Sequence, residues 1–258
     1  MSTGAITGYI DVAQIALYVF WIFFAGLVYY LHRENKREGY PLESDRSNAR
    51  VKVQGWPPVP EPKTFRLANG DSVMAPGGRT SRQSLAATPT GGWPGAPLQP
   101  SGDPMQDLGV GPGAYADRAD VADVTFEGAV KIVPLRAAPG YGVAGEDPDP
   151  RGLPVVGADG QVGGVVRDLW VDRSEALFRY IEVNVPHAAK GPQVLVPINF
   201  ARVTDRQVVV QSVLGYQLAG VPRTRHPDQV TLLEEEKIAA YFGAGTLYAT
   251  ADRQEPLI

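Results

Sequence analysis

The chain contains no cysteine. That excludes a disulfide scaffold, a thiolate zinc site, an iron–sulfur cluster and a cysteine nucleophile. Histidine is almost as scarce: His32, His187 and His226 are scattered without the spacing of a ligand set. An excess of positive charge is missing too. With 24 Lys+Arg against 28 Asp+Glu the formal charge is −4, which argues against a nucleic-acid-binding face. Length alone, 258 residues, allows one or two domains. The mean hydropathy of −0.13 resembles that of a soluble protein, but the average hides one long apolar run.

That run is Val12–Leu31, twenty positions with no charge and one amide, Gln14. At about 1.5 Å per residue it reaches about 30 Å, the thickness of a bilayer's hydrocarbon core. A secretory signal would need a basic segment before the run and a small-residue cleavage site after it. Residues 1–11 hold no Lys or Arg, and the run ends in Tyr29, Tyr30 and Leu31, which suit an interfacial aromatic belt. A buried core helix is rarely so long and apolar on every face. A transmembrane helix is therefore expected, with Asp11 as its N-cap. Arg33, Lys36 and Arg37 follow it closely, so the positive-inside rule puts the C-terminal part in the cytoplasm and a short N-terminal stub outside.

Between Gly55 and Gly113 the chain holds eleven proline and eleven glycine. Such a composition marks an irregular segment in which little sheet or helix is expected. Composition alone favours a disordered linker, yet Trp56, Phe65, Val73, Met74, Trp93, Leu98 and Met105 fit a strap laid on another protein's surface. Further on, the pattern turns to period two. Lys131–Leu135, Val162–Val171, Leu177–Val185, Gln193–Phe200 and Gln207–Val213 read as short strands, with turn signals at Ala158–Gly160, Asp172–Glu175 and Lys190–Pro192. Their spacing suggests a small antiparallel barrel. A final helix starts at the capping box Thr231-Leu-Leu-Glu234 and is expected to end near Gly243 or Gly245.

Catalytic signatures are missing. There is no Walker-type loop, no GxGxxG after a strand, no GxSxG and no HExxH. The glycines of Gly160-Gln-Val-Gly163-Gly164 read as turn geometry. Glu234, Glu235 and Glu236 point in different directions on a helix, which suits a solvated helix start better than a metal cluster. The informative acids are Asp168, Asp172, Glu175 and Glu182, interleaved with Arg167, Arg173 and Arg179. A solvated hairpin surface is the commoner outcome of such a pattern. The alternative is a hydrated relay, in which carboxylates tuned by burial and charge pass protons over short steps.

The run Arg33-Glu-Asn-Lys-Arg-Glu-Gly-Tyr-Pro-Leu-Glu43 resembles the H subunit of the purple-bacterial photosynthetic reaction centre. Pro62–Phe65, Gly95–Pro104, Gly111-Pro112, Lys131–Pro134, Asp149–Pro154, Asp168–Glu175 and Val230–Lys237 with Tyr241 and Gly245 extend the likeness, in order, over almost the whole chain. The resemblance implies a single transmembrane α-helix, an irregular Pro/Gly-rich strap, and a mainly-β PRC-barrel-like domain with a C-terminal helix. The divisions expected are 1–11 periplasmic, 12–31 membrane, 32–113 strap and 114–258 barrel. It implies a non-enzymatic cap in a bacterial photosynthetic membrane, on the cytoplasmic face of the L and M subunits, stabilising the complex and carrying protons to the secondary quinone. Bacteriochlorophyll, bacteriopheophytin, quinones and non-haem iron are expected in L and M and none on this chain. Further expected partners are a cytochrome subunit, light-harvesting antenna and membrane lipids, but no nucleic acid.

Carried over by motif, Glu175 is the expected inner end of the proton route, with Asp172 and Arg179 beside it and Glu235 as a further member. Asp123 and Glu127 lie in the expected intake loop, which lacks the histidines of some relatives. Tyr30, Arg33, Lys36 and Arg37, with Tyr29, form either a topology signal or a grip on an anionic headgroup. Two rival readings remain at this stage: a membrane-anchored PRC-barrel module binding protein or RNA, and a tethered enzyme.

Overall fold

The computed structural model describes residues 4–7, 10–42, 44, 51–68, 70–77, 86–93, 95–106, 109–186 and 193–253. Glu43, His187 and the turn signal Lys190–Pro192 lie outside the described residues. The chain forms two compact units, 1–83 and 84–258, which divide within the Pro/Gly-rich segment.

In the first unit, α1 (Val12–Glu34) is 23 residues long and buries none of them. An 18-residue window within it has a mean hydropathy of 2.0, and apolar side chains facing outward all round suit an apolar medium rather than a core. Asp11 caps it by accepting the N–H of Gln14 at 2.7 Å. The amide of Gln14, the one strongly polar side chain in the span, donates to the Tyr18 hydroxyl at 2.8 Å. That local bond lowers the cost of placing it in lipid.

The same unit holds an antiparallel ribbon of β1 (Lys63–Arg66) and β2 (Ser72–Ala75). A second ribbon, β3 (Ala87–Pro89) with β4 (Leu98–Pro100), lies in the other unit. The expectation of almost no regular sheet here is thus corrected. Prolines are accommodated because Pro62 and Pro76 flank the first ribbon, and Pro89 and Pro100 sit at strand ends. Trp56, Phe65, Val73, Met74 and Trp93 remain exposed, whereas Met105 enters the core.

The second unit is built on a curled half-barrel of seven strands. These are β5 (Ile132–Pro134), β6 (Pro154–Val156), β7 (Val162–Asp172), β8 (Leu177–Asn184), β9 (Gln193–Pro197), β10 (Ala201–Val203) and β11 (Val208–Val210). The order is β10-β11-β6-β7-β8-β9, with β5 pairing the far end of β7. All five expected strands are present. Two further three-residue strands, β6 and β10, lie outside the expected set. The pairing of β11 with β6 is parallel, against the antiparallel expectation. These two are not hairpin neighbours, so no tight turn dictates their relative direction.

Leu169, Ile181, Val183, Val196 and Val208 fill the half-barrel, and each is at most 2 % exposed. Burial of such a side chain stabilises by roughly 1.5–3 kcal/mol. Helix α2 (Leu232–Tyr248) closes the core with Ile238, Tyr241 and Phe242. Its capping box forms as the sequence predicts, with Thr231 accepting from Glu234 N and Glu234 accepting from Thr231 N. The helix does not stop at Gly243 or Gly245. A Cβ at Gly243 would lie 2.5 Å from the Pro112 carbonyl, and one at Gly245 would lie 2.4 Å from that of Ser212. These glycines permit backbone contact in mid-helix rather than ending it.

Candidate functional site

The β7–β8 hairpin sets most of the acids in place. Asp168 faces Glu182 and Trp170 faces Tyr180 across the antiparallel ladder, so the four lie on one side of the sheet. Register shifts on either side of this stretch keep the last five residues of β7 buried. The expected solvated surface is therefore corrected for Asp168, Asp172 and Glu182, all of which are buried. They fall into two groups with different partners.

The first group is bound by guanidinium. Arg136 Nη1 lies 2.6 Å from Glu182 Oε2 and 3.1 Å from Asp168 Oδ2, while its Nη2 reaches Asp228 at 2.9 Å. Glu182 also accepts from Arg167 at 3.0 Å and from the Trp170 indole at 2.9 Å. Asp168 accepts the backbone N–H of Leu169 at 2.9 Å. Burial works against the charge on Arg136, but its bonds and charges from Glu182, Asp228 and Asp168 hold it above the usual arginine range. Buried carboxylates so fully paired are anchors for the fold.

The second group surrounds the β7–β8 turn. Asp172 is 1 % exposed, and its Oδ1 accepts the backbone N–H groups of Ser174 and Glu175 at 2.9 and 3.2 Å. Ala176 completes this turn with φ +53°, a left-handed conformation that costs a non-glycine residue about 1–2 kcal/mol. The two Asp172 bonds offset that cost. Lys131 Nζ stands 3.5 Å from both Asp172 and Asp123. Burial would lower the lysine's pKa, yet the two carboxylates raise it, so it remains a cation between them.

Glu235 completes this group. Its carboxylate accepts from the Tyr180 hydroxyl at 2.7 Å. Burial raises its pKa, assisted by the charge of Asp123 and opposed by the Tyr180 bond, Arg179 and Arg118. Burial and Glu235 together also raise that of Tyr180, which stays a neutral donor. The neighbouring acids go elsewhere: Glu234 is buried in the capping box and Glu236 lies 3.5 Å from Arg118. The reading that the three acids diverge is right, but Glu234 is not solvated.

Asp123, Asp172, Arg179 and Glu235 are thus brought into one electrostatic neighbourhood. Glu175 is tied to it through its backbone, with its side chain exposed on the turn. Glu127 lies on the exposed loop closed by the Val124–Val130 bridge. Tyr180, fifty-five positions before Glu235, carries no sequence signal of its role. Neither does Arg136, a single basic residue after a short strand.

In the membrane-proximal unit the basic flank is largely engaged. Lys36 is 4 % exposed and donates to the carbonyls of Gln54 at 2.9 Å and Pro57 at 2.6 Å. Arg37 is held by Glu34 and donates to the carbonyls of Glu61 and Ala75 at 2.8 and 2.9 Å. A proline-rich segment has few N–H groups to satisfy its own carbonyls, and these two cations take that role. Tyr30 stays exposed and Arg33 half-exposed. Trp56 packs against Tyr29 with ring centroids 5.5 Å apart.

Two family models match the chain. Residues 4–137 match the photosynthetic reaction centre H-chain N-terminal region, and residues 145–216 match the PRC-barrel domain. The second match ends before α2 and begins after β5, so both the strand that carries Lys131 nearby and the helix that carries Glu235 flank it.

Proposed function

The chain belongs to the H-chain family of the photosynthetic reaction centre, and from that premise we propose that it conducts protons toward the secondary quinone through the acids around the β7–β8 turn. Family membership implies association with the L and M subunits in a photosynthetic membrane. Within the proposal, the chain spans the membrane once with its barrel in the cytoplasm, caps L and M, and stabilises them. The pigments, quinones and non-haem iron reside in L and M. A cytochrome subunit and light-harvesting antenna are further neighbours, and lipids meet Tyr30 and Arg33.

The observation that carries the proposal is the contrast in environment at Glu235. A carboxylate whose proton affinity is raised by burial, bonded to a neutral hydroxyl, takes and releases protons closer to neutral pH than an ordinary glutamate. Protons enter at Asp123 and Glu127, pass the Lys131–Asp172 pair and Glu235, and leave through Glu175. Asp172 acts here as a positioning residue, since its Oδ1 fixes the backbone of the Glu175 turn. Arg179 and Lys131 set the local field. The assembly half of the proposal is tested by tagging the chain, solubilising membranes in mild detergent and recording near-infrared absorption. Bacteriochlorophyll bands together with two further membrane polypeptides are expected. A colourless protein alone, from cells making photosynthetic membranes, would remove it.

A further inference from the structure

A pocket of about 200 Å³ opens beside the start of β9, lined by Arg167, Trp170, Glu182, Gln193, Arg223 and Arg225. Three of these side chains are guanidinium groups and one is a carboxylate, so the fate of each charge matters. Glu182 already accepts from Arg136, Arg167 and Trp170. Arg225, exposed on the rim, is 2.6 Å from Asp120 and 3.6 Å from Glu234. Arg223 differs. Its Nη1 and Nη2 donate to the backbone carbonyls of Gln193 at 2.6 Å and Ala219 at 3.2 Å. Among the described residues its buried Nε has no hydrogen-bond partner, and no carboxylate lies within ion-pair distance of it.

A partly desolvated cation whose described hydrogen-bond partners are all neutral carbonyls gains from a counter-charge that meets it. Burial accordingly pulls Arg223 below the usual arginine range. The guanidinium fork is matched by oxyanions, which accept two parallel N–H bonds from one face. The volume fits this class. It is several times the roughly 30 Å³ of a liquid water, and below the roughly 300–1,000 Å³ of pockets for drug-sized ligands. We propose that this pocket is an oxyanion site, in which Arg223 supplies the charge, Arg225 and Arg167 form the rim, and a phosphate or carboxylate group is the ligand. The oxyanion is either a free ion or a group carried by a neighbouring subunit. The site is independent of the proton route, which uses none of its three arginines.

The test is titration of the full chain in detergent micelles with inorganic phosphate at constant ionic strength, against chloride, read by calorimetry and ³¹P line width. Saturable binding of one phosphate per chain is expected. Arg223→Gln should weaken it about tenfold or more, the loss expected for a charge-assisted contact, and Arg223→Lys should restore part of it. Should Arg223→Gln fail to fold, Arg225→Gln on the exposed rim is expected to weaken binding severalfold. Arg206→Gln, in an exposed turn, should bind as the wild type does. Repeating the titration on the complex with L and M identifies the source. Phosphate still binds if the natural ligand is a free ion, and no longer binds if a subunit's own group fills the pocket. Binding no stronger than chloride in the free chain, or an unchanged affinity in folded Arg223→Gln, would overturn the proposal.

Discussion

The two acid groups on one hairpin share strands but not chemistry. Both oxygens of Glu182 meet a guanidinium, one of them also an indole N–H, and Arg136 alone joins three acids. Around Asp172 and Glu235, the partners are a lysine placed between two acids, backbone N–H groups and a neutral tyrosine. A fork of fixed N–H donors ties a carboxylate to one geometry and commits it to structure. A hydroxyl and partial burial leave a carboxylate able to change state. Within one sheet, the partner separates the acids locked by guanidinium forks from those to which the proposed proton route is assigned.

The comparison breaks most visibly at Arg136. Arg136→Ala leaves Glu182 and Asp168 buried without their common partner, and should destabilise the chain by about 3–5 kcal/mol in chemical denaturation. A loss below about 1 kcal/mol would mean that Arg167 and Trp170 suffice. A smaller effect is expected at Asp172→Asn. The amide oxygen still accepts an N–H from the turn, while the charge facing Lys131 is gone, so a loss of about 1–3 kcal/mol should follow. If it matches the Arg136→Ala loss, the two groups do not differ in kind.

The smallest effect sharpens the contrast through pH. The folded-state pKa of Glu235 lies above its unfolded value near 4.5, so the folded chain binds more protons between the two. The contribution of Glu235 to stability is therefore full below the unfolded pKa and is lost as pH rises through the folded one. Glu235→Gln should flatten the melting-temperature profile in that window. A wild-type slope retained in Glu235→Gln would place the titrating group elsewhere.

Much of this was legible in sequence where a local pattern encodes it. The apolar run ending at Leu31, the Thr231–Glu234 capping box and the period-two strands around Trp170 are all short-range signals. What escaped detection depends on distant partners. Gly245 looks like a helix end until Ser212 is seen against it. Asp168 and Glu182 look solvated because Arg136 comes from another strand's end. Lys36 and Arg37 read as a topology signal or a headgroup grip because the carbonyls that occupy them belong to a proline-rich stretch far down the chain. Of the site, the sequence and the resemblance supplied the residue names, and the pairing of Tyr180 with Glu235 required the fold.

The most direct test of the account is the rate of the two successive electron transfers to the secondary quinone, after flashes, in complexes carrying Glu175→Gln or Asp228→Asn. Glu175→Gln should slow the second, proton-coupled transfer about tenfold or more, in keeping with the 10²–10⁴-fold worth of a well-placed proton-transfer group, and leave the first unchanged. Asp228→Asn should alter neither. A second transfer as fast in Glu175→Gln as in the wild type, or equal slowing in both variants, would contradict the account.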